Sequence, residues 1–319
     1  MSALELPEVL AAAGLPTTGH YEAKGGWVSR AWVGSEYVVR LGGPQARSAY
    51  EHEASVVALL SGSDVPHAPH IAHSSGPGEA WSVSGRLAGR TLYDAWPAAS
   101  VRQRQAMIES LGTALRALHR VPVSMDLRPP WLRDALAGRP WPAYHPPVVD
   151  AALSLVDDAR SAGHDARLLD DVASWVLERL PLFASDELVL VHGDLHGSNV
   201  MVDDGSVTGL IDFAEAVAQP ADVELDTILR WCARPQEFPP MPGAPTLDAA
   251  SLAPVPEWLQ GAYPELFVRK ELRSRLQFYD MWVELAILGH HPDPAVRHLA
   301  QERVVGLLGG RSHLDRLDW

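Results

Sequence analysis

The stretch from Leu188 to Phe213 constrains this chain more than any other. Leu188-Val189-Leu190-Val191 is a short apolar run of the length expected for a buried strand. A polar segment follows, His192-Gly193-Asp194-Leu195-His196-Gly197-Ser198-Asn199. Val200-Met201-Val202 and Val207 to Ile211 then flank Asp203-Asp204-Gly205, which predicts a hairpin closed by an Asp-Gly turn. Asp212-Phe213 comes next, with Asp212 thirteen residues past Asn199. Strand, loop and hairpin in this order bring the loop and the far end of the hairpin to a common mouth. That mouth carries H-G-D-x-x-x-x-N and, across one hairpin, D-F. Phosphoryl transfer needs such groups. The charge of a nucleotide's phosphates calls for Mg²⁺ on hard oxygen ligands such as Asp and Asn. A separate carboxylate must accept, or aim, the proton of the acceptor hydroxyl.

The rest of the chain divides near residue 87. Residues 18–41 read as strands with tight turns, including Ala31-Trp32-Val33 and Tyr37 to Leu41, with Gly25-Gly26 as a turn signal. Residues 46–60 read as a helix, and His70–His73 and Trp81–Leu87 as two further strands. Gly85 and Gly89 bracket a hinge where that pattern ends. Beyond it Ile108, Leu111, Leu115 and Leu118 recur at helical spacing. A stretch rich in Pro and Trp occupies 129–147, and helices are expected at 148–161 and 165–182. After the hairpin, a helix is expected from Pro220 to Cys232, a Pro-rich loop from 235 to 256, and helices at 265–289 and 293–308. A small strand-rich part (1–87) and a larger helical part (88–319) follow, not a doubly wound βαβ sheet.

Composition narrows the function classes. With 319 residues, two lobes are expected. The net charge of −14 argues against a nucleic-acid partner and permits a cationic one. The single cysteine, Cys232, excludes an internal disulfide framework and reads as core. Neither a secretory leader nor a bilayer-spanning run is read, so a cytoplasmic protein with no membrane partner is expected. Lys24 and Lys270 are the only lysines.

Residues 191–215 resemble the aminoglycoside phosphotransferase family, relatives of the eukaryotic protein kinases that carry a His-Gly-Asp catalytic loop. The order of elements extends the resemblance over nearly the whole chain. It implies an α+β, two-lobed protein-kinase-like fold and transfer of the γ-phosphoryl group of ATP or GTP to a small-molecule hydroxyl. It implies Asp194 as the catalytic carboxylate, Asn199 and Asp212 as Mg²⁺ ligands, His192 as a brace and Glu215 as a group standing behind the ligands. Gly25, Gly26 and Ser29 would cover the phosphates, and Ser84, Gly85, Arg86 and Leu87 would offer backbone groups to adenine. Glu53 would pair with the basic residue of the third strand. That residue is usually Lys; here it is Arg40, whose fork suits bidentate phosphate contact.

Other readings stand beside these. Arg40 with Glu53 could be an ordinary surface ion pair. His192, Asp194 and His196 spell H-x-D-x-H, the donor set of a metal-dependent hydrolase. A thin glycine loop and Arg40 also fit a nucleotide-binding pseudokinase. The 129–147 segment, with Trp131 and Trp141, reads either as a packed crossover or as a wall of the acceptor pocket. Asp280 and Glu284 are four apart on one helix, which reads as a solvated face. The resemblance instead assigns them, with Asp226 and Glu271, to an acceptor's ammonium groups. An aminoglycoside or other cationic antibiotic is the leading acceptor, with a macrolide, another natural product, or a small alcohol or sugar as the alternatives.

Overall fold

The computed structural model of the chain describes residues 5–24, 29–76, 78–135, 147–184, 187–241 and 243–317. Its strand-rich part begins with helix α1 (Leu6–Ala12), followed by β1 (Glu22–Lys24), β2 (Arg30–Val33), β3 (Tyr37–Gly42), helix α2 (Arg47–Leu60), β4 (His70–His73) and β5 (Ala80–Gly85). These five strands form one antiparallel sheet in the order β1-β2-β3-β5-β4. Side chains alternate across a strand, and here the alternation sorts structure from chemistry. Val39 and Leu41 of β3, with Trp81 and Val83 of β5, pack against Val9 and Leu10 of α1. Arg40, between the two valine-type positions, faces the other way, with Ser82 as its cross-strand partner.

The larger part is helical. It runs through β6 (Arg90–Thr91), α3 (Leu92–Ala95), α4 (Val101–Leu118), α5 (Pro130–Ala135), α6 (Pro147–Ser161) and α7 (Ala166–Arg179) to β7 (Val189–Val191), β8 (Val200–Asp203), β9 (Ser206–Leu210) and β10 (Val217–Gln219). It ends with α8 (Asp222–Ala233), α9 (Ala249–Leu252), α10 (Val255–Ala262), α11 (Leu272–His290) and α12 (Pro294–Leu308). Its core is one cluster that includes Ile108, Leu111 and Leu115 of α4, Val172 and Val176 of α7, Ile228 and Trp231 of α8 and Leu276, Phe278 and Leu285 of α11. Cys232 belongs to it, and burial pushes its thiol well above the ordinary value. No helix among the described residues is long and apolar enough to cross a membrane.

The expected strand, loop and hairpin are present. β8 and β9 pair through a turn at Asp204 (φ 44°) and Gly205 (φ 80°), the conformation an Asp-Gly hairpin requires. The sequence pattern missed α1, α3, β6 and β10, all short, read as loop the stretches that hold α5 and α9, and left most of α10 unassigned. Pro254 caps α10 and Pro256 sits in its first turn, positions that need no backbone N–H. Prolines that begin a helix were read as breaking one. The helix expected from 265 starts at Leu272, because Glu271 adopts a left-handed conformation (φ 55°) that interrupts it.

Candidate active site

β10 pairs antiparallel with β7, Val217 opposite Val191, and this register lays the segment after Asp212 beside the segment after β7. Gly193 takes φ +83°, and a Cβ on it would stand 2.2 Å from the carbonyl oxygen of Glu215. Only glycine permits that approach. The two loops meet at the other end of the hairpin as well, where the Ile211 N–H donates to the Asn199 carbonyl at 3.0 Å. Asp194, Asn199, Asp212 and Glu215 are therefore gathered at one mouth by backbone pairing.

His192 is fully buried and serves as a brace. Its Nε2 lies 2.8 Å from the Ile211 carbonyl, its ring packs on Phe213, and its backbone N–H donates to Glu224 Oε2 at 2.6 Å. No set of three or more His, Cys, Asp or Glu suited to a metal exists among the described residues. Asp194 is open, with its side chain 46% exposed. Burial would raise its pKa, but the His196 hydrogen bond and the charges of His196, His192 and Arg230 outweigh this and hold the carboxyl below its ordinary value. Asn199 Nδ2 donates to the Asp194 carbonyl at 2.8 Å and to Asp194 Oδ2 at 3.3 Å. That commits the amide nitrogen and turns its oxygen into the ligand-type atom. Asp212, at φ +67°, presents a half-exposed carboxylate. A carboxamide oxygen and a carboxylate fit the oxygen preference of Mg²⁺.

Arg40 joins the sheet to this mouth. Its Nη2 pairs with Glu53 Oε2, its Nη1 with Asp212 Oδ1 at 3.0 Å, and its Nε donates to Ser82 Oγ at 3.2 Å. Burial would lower the guanidinium's pKa, yet Glu53 and Asp212 more than compensate and raise it. Arg40 and Glu53 are thus not an ordinary surface pair. Glu53 also accepts the Phe213 backbone N–H, and His52 Nε2 lies 2.7 Å from the Ala216 carbonyl, so α2 grips the turn after Asp212. Lys24 pairs with Glu22 on exposed β1 and takes no part. Ser29 lies beside Tyr50, whose ring underlies the Arg40 guanidinium at 5.1 Å. Gly25 and Gly26 lie outside the described residues.

The hinge differs from expectation. The N–H groups of Gly85 and Arg86 already donate to the carbonyls of Pro69 and Glu36, both at 2.8 Å. Of Ser84 to Leu87, only the N–H of Leu87 is left outside the sheet and its bonds among the described residues. The strand ends at Gly85, two residues before the expected Leu87, and Gly85 and Arg86 are held by carbonyls of the neighbouring segments.

The acidic residues of the C-terminal helices need a larger correction. Asp280 and Glu284 form no solvated face: their side chains are 0% and 1% exposed. Arg234 Nη1 reaches Asp280 at 3.2 Å and Glu284 at 2.7 Å, Arg303 adds a 3.2 Å contact to Glu284, and His313 Nδ1 lies 3.0 Å from Asp280. Asp226 is equally buried and pairs with Arg230 at 3.0 Å. The helical period was read correctly, but the face turned inward because two arginines and a histidine from other elements meet it. Glu271 is exposed at the start of α11.

Several features escaped the sequence reading. Glu224 holds the catalytic-loop backbone, and Arg230 adds its charge beside Asp194. The His196 ring lies 5.4 Å from Phe238. Trp131 of α5 donates its indole N–H to Glu215 Oε2 and packs on Trp282 with ring centroids 5.6 Å apart. Burial pushes the Glu215 carboxyl up to about 7, with Asp194 and Asp212 adding repulsion and the indole N–H opposing it. Trp141 lies outside the described residues, as does most of the Pro-rich stretch around it.

Known proteins share this fold. The structure of aminoglycoside phosphotransferase APH(2″)-IIa, solved as a ternary complex with streptomycin and ATP, superposes with a TM-score of 0.66 at 15% identity over 100% of both chains. That of APH(4)-Ia with ADP and hygromycin B gives 0.63 at 18% identity, covering 95% of this chain and 97% of that one. ADP-bound APH(2″)-Ib gives 0.61 at 16%, covering 93% and 94%. At these identities the likeness establishes the fold, a mixed α+β architecture of kinase type. The family model for the phosphotransferase enzyme family, APH, matches residues 22–269, most of the chain and every element of the mouth, and the chain therefore belongs to that family of phosphotransferases.

Proposed function

We propose that this enzyme is a small-molecule kinase that transfers the γ-phosphoryl group of ATP or GTP to an alcohol. The observation that carries the proposal is the Arg40 guanidinium, which spans Glu53 and Asp212, while Asp194 on the loop paired with the Asp212 segment stays open. A structural ion pair needs one partner; a residue that joins the sheet to the second loop suits a grip on phosphate between them. The lobes divide at 87/88, with residues 1–87 covering the nucleotide and 88–319 carrying the catalytic loop and acceptor side.

Asp194 stays ionised, aims the acceptor hydroxyl and takes its proton as the oxygen attacks the γ-phosphorus. Arg40, fixed by Glu53 and Ser82, holds the phosphate tail, with Gly25, Gly26 and Ser29 above it. Asn199 and Asp212 would hold Mg²⁺, which neutralises phosphate charge. Leu87 offers its backbone N–H to the base. Most of the acceleration comes from positioning and preorganised charge.

For the acceptor, the buried arginine-paired state of Asp226, Asp280 and Glu284 favours a molecule of low positive charge over a polycation. His196 and Arg230 bear on Asp194, the Phe238 ring packs beside His196, and Glu215 holds the Trp131 indole. This favours the macrolide or other natural-product alternative over an aminoglycoside. The test is a coupled ADP-release screen run with both ATP and GTP, using streptomycin, gentamicin, hygromycin B and erythromycin as acceptors. Acceptor-dependent ADP release that is lost in Asp194→Ala supports the proposal. Nucleotide binding with no turnover of any acceptor would make the chain a pseudokinase.

A further inference from the structure

Among the described residues, no cation stands beside the Glu215 carboxylate. Among the described residues its polar side-chain contact is the indole N–H of Trp131. It stands near two other carboxylates, Asp194 and Asp212, each of which repels it. An uncompensated acid in a half-buried position costs stability, and arginine is plentiful in this chain, so a structural role alone would be better met by a guanidinium. The backbone around Glu215 is also fixed from two sides. Gly193 closes on its carbonyl, and the next carbonyl, Ala216, is held by His52 of α2.

Trp131 is the other half of the arrangement. One edge of its ring is anchored by Glu215 and one face leans on Trp282, yet the residue remains 38% exposed. A phenylalanine would pack on Trp282 equally well. The N–H specifies the ring's angle, and a large aromatic fixed at its polar end with surface to spare is built as a platform. Through Glu215, whose carboxylate feels the charges of Asp194 and Asp212, it is tied to the mouth.

We propose that Trp131 and Glu215 form a positioning strut for the acceptor: Glu215 fixes the indole, and an apolar ring face of the acceptor lies on it, with the reacting hydroxyl directed to Asp194. The inference rests on the kinase reading above and specifies its acceptor as a ring-bearing alcohol. Neither residue acts on the phosphorus. The strut serves proximity, and its loss falls on the acceptor and not on the nucleotide.

The experiment compares wild type with Trp131→Phe, Glu215→Ala and Glu215→Gln, using whichever of the four probe acceptors wild type turns over. Trp131→Phe and Glu215→Ala are expected to raise the acceptor KM about tenfold, the worth of one anchoring hydrogen bond, while the KM for MgATP stays within about twofold. Glu215→Gln keeps an oxygen for the indole N–H and is expected to restore most of the acceptor KM. Thermal melts of each variant report folding, and Trp131→Phe preserves the packing should Glu215→Ala unfold. The proposal is overturned if acceptor KM is unchanged in Trp131→Phe and in every folded Glu215 variant, or if KM for MgATP rises in parallel. Wild-type turnover of none of the probes overturns the kinase reading and the strut with it; turnover with an unmoved acceptor KM overturns the strut alone.

Discussion

The chain places carboxylates in two surroundings some of its own helices separate. At the mouth, Asp194 and Asp212 keep side chains 46% and 47% exposed, and Glu215 has only an indole for company. Behind it, Asp222, Asp226, Asp280 and Glu284 have side chains no more than 2% exposed, each with arginine or histidine against it. The same residue type thus does opposite work. Buried acids paired with arginine fix how α8, α11 and the C-terminal turn sit together, while open acids are available to ligands. Arg275 shows the first use: it holds Asp222 through Nε at 2.6 Å and Nη2 at 2.9 Å while lying over the Phe183 ring. Arg40 shows the second, because its fork is divided between one acid from each lobe.

Substitutions can break this contrast. Asp194→Ala should lower phosphoryl transfer by about 10²–10⁴-fold, the usual worth of a positioned base, with the melting temperature almost unmoved. ADP release and a thermal melt on one preparation check both halves. Asp222→Ala should do the reverse. It strands a buried guanidinium and should cost about 3–5 kcal/mol of stability, read as the shift of a urea transition. A fully stable Asp222→Ala would show that the buried pairs are not what fixes α8 to α11. Arg40→Ala falls between the two sets, and is expected to raise the KM for ATP about tenfold.

The buried set also predicts a pH slope. Burial and the charge of Asp280 push Glu284 up to about 7 against the pull of Arg303 and Arg234, from an ordinary value of 4.5. Between those pH values the native state holds a proton that the unfolded chain has released. Stability contributed by that proton is therefore present below about 4.5 and lost as pH rises through about 7. Asp280 carries the opposite sign: burial would raise it, but His313, Arg234 and Arg230 hold it low, so its contribution is present above 3.8 and lost in acid. Glu284→Gln should flatten the dependence of the unfolding free energy on pH between 5 and 8, read from urea transitions at each pH. An unchanged slope would assign that proton elsewhere.

The open set was legible in the sequence and the buried set was not, for a physical reason. Asp194, Asn199 and Asp212 lie on one strand, loop and hairpin whose pairing is local, so spacing alone brings them together. Arg40 is set against Glu53 by the family resemblance, and the two do pair. Asp280 and Glu284 carry the same letters as a solvated helix face. What buries them is Arg234, Arg303 and His313, contributed by separate elements. The same holds for Trp131 and Glu215, 84 residues apart. Contacts that depend on where a distant helix ends leave no period in a sequence.

Arg40 has a practical consequence for anyone who wishes to tag this enzyme. Reagents that trap kinases through the phosphate-side amine depend on a nucleophilic lysine nitrogen, and this grip has none. Lys24 and Lys270 are the only amine side chains, and Lys24 sits on the outer strand with Glu22. An acyl-phosphate nucleotide should pass through a lysate and leave the Arg40 site unlabelled. A dicarbonyl that condenses with guanidinium groups, applied with and without nucleotide, is the chemistry matched to this pocket.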